Sequence, residues 1–122
     1  VHIFSFGFKY GMPMDADFVA DMRFLPNPFW IPELRDLTGK DKAVSDYVLK
    51  NPAAIEFLDY YEKALLTAID GFAKEDKHYV TIAVGCTGGQ HRSVAISIEL
   101  ARRLKLRGLQ VTVSAREMRS RT

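Results

Sequence analysis

The sequence has little that would link it to a metal site, a membrane or the cell exterior. It contains one cysteine, so no internal disulfide can form, and this fits a reducing cytosol. One cysteine and three scattered histidines do not support a structural zinc site. No apolar run approaches the roughly 20 residues that span a bilayer, and the first residues do not resemble a signal peptide. We therefore expect a cytoplasmic protein with no metal and no membrane partner.

The sequence also lacks a GxxxxGK[ST] phosphate-binding motif, internal repeats and low-complexity tracts. It begins without methionine inside a strand-like run, and we expect it to be part of a longer protein. Its 122 residues are 48% hydrophobic and 26% charged, as in an ordinary globular domain. This length suits one domain with a core of its own, over residues 1–122.

The charge of the chain is distributed unevenly, although its net value is only +2. Residues 1–91 carry nine Lys/Arg against thirteen Asp/Glu, and residues 92–122 carry eight against two. Such asymmetry indicates either a face that binds a polyanion or a solvated helix face followed by a basic tail. The basic residues of the second part are Arg92, Arg102, Arg103, Lys105, Arg107, Arg116, Arg119 and Arg121.

Residues 80–93, VTIAVGCTGGQHRS, hold the most informative pattern. Apolar and β-branched residues run into Gly85, and a glycine-containing turn then precedes a segment with helical character. Glycines let a ligand approach the backbone, and the free N–H groups and dipole of a helix start favour an anion. Arg92 adds a planar, permanently charged group that suits phosphate oxygens. The pattern predicts an anion-binding loop.

Hydrophobic periodicity predicts an alternation of strands and helices around this loop. We expect strands over 2–8, 18–25, 79–84 and 109–114, and helices over 41–50, 53–73 and 91–107. The strand–helix–strand unit at the end implies a parallel pair, so the prediction is a small three-layer α/β domain with a mostly parallel sheet. Ligands bind such sheets beyond the carboxyl ends of the strands, where the glycine loop would lie.

Two further segments are predicted to border this site. Residues 25–32 contain three prolines and should not form regular structure, and their Trp30 is either a hydrophobic latch or one wall of the site. Asp21 and Arg23 would project to one face near the end of the second strand. They would then reach the ligand crevice, or form a solvent-facing ion pair if that strand lies at the edge of the sheet.

Cysteine-dependent phosphatases supply a catalytic alternative for the loop. The spacing Cys86-x-x-Gly89-x-x-Arg92-Ser93 is that of their phosphate loop, in which a thiolate attacks phosphorus. Gly85 stands where those enzymes usually carry histidine, and the available acids are Asp15, Asp17, Asp21 and Asp36. The alternative for Cys86 is a small buried residue at a strand end. His91 is compatible with phosphate binding, with acid–base chemistry or with a structural role at the helix start.

The segments FSFGFKYGMP, DADFVADMRFLPNPFWIPELRDLTG and VTIAVGCTGGQHRSV closely resemble the C-terminal domain of the bacterial RapZ/YvcJ family over essentially the whole chain. The resemblance implies a fold similar to a phosphofructokinase subdomain and no enzymatic activity. It also implies an N-terminal Walker A domain absent from this chain, so no cofactor is expected here and ATP or GTP belongs to that other domain. In the best-understood branch, an RNase adaptor senses glucosamine-6-phosphate, binds a small regulatory RNA, presents it to an endoribonuclease and forms homo-oligomers.

The resemblance also implies site residues. The residues implied to bind the phosphate and the sugar are Asp21, Arg23, Cys86, Thr87, Gly88, Gly89, Gln90, His91, Arg92 and Ser93. The residues implied to contact the RNA backbone are Lys9, Arg102, Arg103, Lys105, Arg107, Arg116, Arg119 and Arg121. Tyr10 and Phe29 stand where the adaptor branch has histidine, Gln90 replaces a lysine and Ala115 replaces a histidine, which leaves the metabolite and RNA open. A domain for oligomerisation or protein docking is the remaining alternative.

Overall fold

The computed structural model describes residues 1–118. Four strands, four α-helices and two single 3₁₀ turns alternate along this part of the chain. The strands are β1 (His2–Gly7), β2 (Phe18–Asp21), β3 (Thr81–Cys86) and β4 (Thr112–Ala115). The helices are α1 (Pro32–Arg35), α2 (Lys42–Leu49), α3 (Pro52–Lys74) and α4 (Arg92–Leu106), and the 3₁₀ turns are Phe8–Tyr10 and Pro28–Trp30.

The four strands form one sheet in the order β2-β3-β1-β4, and every neighbouring pair is parallel. Ile3 lies beside Ile82 on β3 and beside Val113 on β4. Both central strands, β1 and β3, therefore end at the same edge, and Gly7 pairs with Cys86 there. This confirms the predicted parallel α/β sheet and brings the glycine loop to its carboxyl edge.

The helices bury their apolar faces against this sheet and against one another. Helix α4 contacts β1, β3 and β4, and α2 and α3 in turn pack against α4. One core cluster joins Ile3 and Ile82 of the sheet to Val44, Leu58 and Leu100 of the three longer helices. The arrangement agrees with the expected small three-layer α/β domain and packs α4, which follows the loop directly, against the sheet.

Several predicted boundaries were wrong, each for a local reason. Strand β2 ends at Asp21 instead of residue 25 because the Asp21 carboxylate accepts the N–H of Arg23 (3.0 Å), which turns the chain away from the ladder. Strand β3 continues to Cys86 because Gly85 and Cys86 still pair with β1. Strand β4 begins only at Thr112, since the N–H of Leu109 still bonds to Leu104 at the end of α4.

The proline-rich segment contains more regular structure than predicted. Pro28 opens a 3₁₀ turn, and Pro32 opens α1. Proline is compatible with the first position of a helical turn, where its missing N–H would have no intrahelical partner. The three prolines therefore shorten these turns but do not prevent them. Among the described helices, none is both long and apolar enough to cross a membrane.

Candidate functional site

A cavity of about 430 Å³ opens at the carboxyl edge of the sheet, beside the glycine loop. Three segments line it: the turn after β1, the proline-rich segment with the residues that follow it, and the loop between β3 and α4. This is the edge at which we expected a ligand site. The lining residues are Lys9, Tyr10, Asn27, Phe29, Trp30, Arg35, Asp36, Leu37, Thr38, Cys86, Thr87, Gly88, Gln90, His91 and Arg92.

The loop before α4 is shaped by its close approach to β1. Gly89 has a φ of +77°, and a Cβ there would lie 2.7 Å from the backbone N of Gly7. Only glycine satisfies both conditions without displacing the strand. The backbone N–H groups of residues 88–91 make no hydrogen bond within residues 1–118. Three of these residues, Gly88, Gln90 and His91, line the cavity, and their N–H groups are the candidate donors to an anion there.

Arg92 is the most unusual residue of the cavity because its charge is buried. The residue is only 4% exposed. Its Nη1 donates to the carbonyl oxygens of Leu25 (2.9 Å) and Arg23 (3.2 Å), and its Nη2 donates to Thr87 Oγ1 (3.3 Å). Its Nε has no partner, and no carboxylate within the described chain forms an ion pair with it. A buried charge of this kind is stabilised strongly by an anion that it can bind.

The Cys86 thiol lies at the floor of the cavity, under the loop. It donates to Ser93 Oγ (3.1 Å), and the N–H of Ser93 donates to the sulfur (3.4 Å). Cys86 is 2% exposed, and Ser93 is fully buried. The pair thus fastens the end of β3 to the start of α4, which agrees with the interpretation of Cys86 as a small buried residue.

Other loop side chains are engaged with the rest of the domain. His91 donates its Nε2–H to the carbonyl of Arg35 (3.1 Å), which fixes the proline-rich segment against the helix start. The Gln90 amide donates to the carbonyl of Glu117 (2.9 Å) and so holds the chain after β4. Both residues still line the cavity. The side chains therefore position the loop, and its backbone supplies the free donors.

Residues 35–39 complete the cavity, and sequence reasoning largely missed them. Arg35, Asp36 and Thr38 line it, and the N–H of Gly39 donates to the carbonyl of Gln90 (2.8 Å). Asp36 was one of four acids considered for catalysis, but no pattern separated it from the others. No sequence pattern indicated that Arg35 lies at the site, since a single arginine after a proline-rich segment can point to many parts of the surface.

The cavity has a positive balance of charge. Lys9, Arg35 and Arg92 line it together with one carboxylate, Asp36. None of these four groups forms a salt bridge with another described residue. Their charges are thus available to a ligand that is mainly anionic and carries one cationic or hydrogen-bond-donating group.

Asp21 and Arg23 do not line this cavity. Their side chains form a bidentate ion pair, with the shortest contact at 2.7 Å, and each side chain is about half exposed. The Arg23 guanidinium holds the pKa of Asp21 below its usual range, mainly through these hydrogen bonds. It also stacks on the ring of Phe8 at 3.9 Å. The geometry is that of the alternative, a solvent-facing pair at the edge strand β2, and a role in ligand binding stays a prediction.

Three of the arginines at and just after the carboxyl end of α4 are paired with carboxylates. Arg102 and Arg103 bond to Glu99, Arg103 also bonds to Asp59 of α3, and Arg107 bonds to Glu62. The charge asymmetry along the sequence is therefore partly balanced in space.

The remaining basic residues differ in their surroundings. Arg116 pairs with Glu117, whereas Lys105 has no ion pair within the described part of the chain. Lys9 lies on the cavity rim. Arg119 and Arg121 lie outside the described residues. Within residues 1–118 there is also no group of three or more His, Cys, Asp or Glu side chains that would suit a metal.

The fold and the cavity define a class: a small parallel α/β domain with a glycine loop between a strand and a buried helix, beside a cavity at the carboxyl edge of the sheet. Comparison with known proteins gives the family. The family model described as the RapZ C-terminal domain matches residues 1–119, and the chain belongs to this family.

Curated relatives agree with this assignment. A nucleotide-binding protein of Bifidobacterium adolescentis is 75% identical over 122 residues, which cover 100% of this chain and 39% of the relative. Similarly named proteins of Nocardioides sp. and Clavibacter michiganensis are 58% and 59% identical over 97% of this chain, and 39% and 41% of their own lengths are covered. The chain thus spans about two fifths of the length of these relatives.

Proposed function

We propose that this domain is a non-catalytic regulatory module that binds a phosphorylated amino sugar of the glucosamine-6-phosphate type in the cavity. In the same proposal it binds a small regulatory RNA and presents that RNA to an endoribonuclease. The observation that carries the proposal is the buried Arg92 guanidinium, which has a free Nε and no carboxylate partner in the described chain. Membership of the RapZ C-terminal domain family supports it.

The cavity offers a group for each part of such a ligand. The unpaired N–H groups of the loop and the guanidinium charge of Arg92 suit a phosphate group. A protonated sugar amine needs a carboxylate, and the one that lines the cavity is Asp36. Asp36 therefore replaces the Arg23-bound Asp21 in this role in our proposal.

The surroundings of Cys86 favour binding over catalysis. A nucleophilic cysteine needs a thiolate that can reach the substrate. The Cys86 thiol is instead 2% exposed and donates to Ser93. Gly85 also supplies no side chain to stabilise a thiolate from the preceding position.

RNA and the metabolite would use some of the same groups. Lys9, Arg35 and Arg92 are the cavity cations without ion pairs in residues 1–118, and RNA phosphates require such cations. Binding of the metabolite would then exclude RNA, so the module would release RNA when the sugar phosphate is abundant. The relatives are named nucleotide-binding proteins, and we attribute that property to the part of them that this chain does not span.

A displacement titration tests this proposal. We expect glucosamine-6-phosphate to displace a fluorescently labelled stem-loop RNA with single-stranded ends from the domain. The fluorescence anisotropy of the RNA measures this displacement. Glucose-6-phosphate, which lacks the amine that Asp36 would bind, should displace RNA less effectively, and glucosamine without phosphate should not displace it. RNA affinity should also fall steeply as salt rises. Undiminished RNA binding at saturating glucosamine-6-phosphate would contradict mutual exclusion.

A further inference from the structure

Three aromatic side chains line the cavity and remain largely exposed. Tyr10, Phe29 and Trp30 are 58%, 45% and 73% exposed, and all three line the cavity. We refer to these three residues as the aromatic wall. Large apolar side chains that gather beside a cavity without being buried indicate a surface that contacts a ligand. A phosphate group alone makes no use of such a surface.

Part of the aromatic wall, Phe29 with Trp30 against it, is held in place although it is exposed. The Asn27 side chain accepts the N–H of Phe29 (3.1 Å), and Arg35 Nε donates to the carbonyl of Phe29 (2.8 Å). The rings of Phe29 and Trp30 meet edge to face, with centroids 5.3 Å apart and planes at 83°. Phe29 and the Trp30 ring that packs on it are therefore positioned before a ligand arrives, which lowers the entropy cost of binding.

Cations accompany the aromatic wall. The Lys9 ammonium lies 5.1 Å from the centre of the Tyr10 ring, and the Arg35 guanidinium lies 5.0 Å from the centre of Phe29. Arg92 and residues of the glycine loop line the same cavity. Flat apolar rings next to phosphate-binding groups are the combination by which proteins hold single-stranded nucleic acid, through base stacking and backbone contacts.

From this arrangement we propose that the cavity takes one unpaired RNA nucleotide, with its base stacked on the aromatic wall and an adjacent phosphate at Arg92 and the loop. This inference rests on the proposed function, because it assumes both RNA binding and the anion-binding loop. A base inside a duplex is not available for stacking on a side chain, so the bound segment is single-stranded. The same proposal explains why RNA and the metabolite would exclude each other, because one cavity admits either the nucleotide or the sugar phosphate.

Trp30 allows a direct test, since it is the single tryptophan of the sequence. We expect a single-stranded adenylate hexamer to quench its fluorescence, and an abasic hexamer of the same length and charge to bind more weakly. By anisotropy with labelled hexamer, Trp30→Leu should lose about tenfold or more in affinity, since each stacked base contributes substantially to binding. Tyr60→Leu is the matched control, because Tyr60 is a 66% exposed aromatic residue of α3 outside the cavity.

Inorganic phosphate titrated into the same proteins separates this inference from the proposed function. Phosphate binding that is equal in wild type and Trp30→Leu, together with loss of hexamer binding in Trp30→Leu alone, supports stacking. Equal affinity for the adenylate and abasic hexamers, or equal losses in Trp30→Leu and Tyr60→Leu, overturns the stacked nucleotide and leaves the anion site standing. Failure of the wild type to bind phosphate overturns the proposed function as well.

Discussion

Arg92→Met is expected to reduce affinity for inorganic phosphate and for glucosamine-6-phosphate by about ten- to a hundredfold. Methionine fills much of the same volume but removes the guanidinium charge that lines the cavity without a carboxylate partner in the described chain. A hydrogen bond to a charged group contributes about 1.5–3 kcal/mol, and 1.4 kcal/mol corresponds to a tenfold change in affinity. Isothermal titration of both ligands measures the change.

Arg102→Met on the same helix is the matched control. Arg102 is exposed, and its charge is bound to Glu99, so its removal should leave phosphate affinity unchanged. Thermal unfolding must be followed in parallel, since Arg92 also donates to the carbonyls of Arg23 and Leu25. A folded Arg92→Met variant that binds phosphate as tightly as the wild type would show that Arg92 does not contribute to ligand binding. Arg92→Lys should recover only part of the affinity, because it restores the charge without the planar group.

Gly39→Ala is expected to destabilise the domain and to disrupt the cavity. A Cβ at Gly39 would lie 2.4 Å from the backbone N of Ala95 and 2.5 Å from the carbonyl oxygen of His91. Since these are backbone atoms at the start of α4, the added methyl group must push residues 35–39 away from the loop. Overpacking of this kind costs about 1–3 kcal/mol, which corresponds to a fall in melting temperature on the order of 3–15 °C.

Gly71→Ala provides the opposite control. Gly71 lies inside α3, and nothing lies within 4 Å of a Cβ built there. Alanine in a helix interior is more favourable than glycine by about 1 kcal/mol, so the melting temperature should rise. Calorimetric unfolding and phosphate titration of both variants test the account. A Gly39→Ala protein as stable as the wild type, with intact phosphate binding, would show that the contact between residues 35–39 and α4 does not shape the site.

Periodicity located most of the fold because the buried faces of this domain are regular. The apolar spacing of α3 and α4 placed both helices within one residue at each end, since capping residues and Gly108 mark their ends. The predicted ends of the strands were less accurate than those of these two helices. Asp21 stopped β2 through a hydrogen bond to the next turn, and a propensity argument does not register such a bond.

The loop of the site could be predicted, but its opposite wall could not. The loop, with Arg92, combines a strand, glycines and a helix start in one short segment, so local sequence is sufficient. Asp36 and Arg35 reach the cavity only because His91 and Gln90 hold residues 35–39 through backbone carbonyl and N–H groups. Similarly, the carboxylates of α3 that pair with Arg103 and Arg107 are distant in sequence, so the basic character of residues 92–122 overstated the free positive surface.

The central claim is that the cavity recognises a phosphorylated amino sugar rather than any anion. Isothermal titration of the wild-type domain with glucosamine-6-phosphate, glucose-6-phosphate and inorganic phosphate tests it most directly. We predict that glucosamine-6-phosphate binds most tightly, with a preference over glucose-6-phosphate that Asp36→Asn removes. Equal affinities for all three ligands would contradict the claim and would make the loop a general anion site.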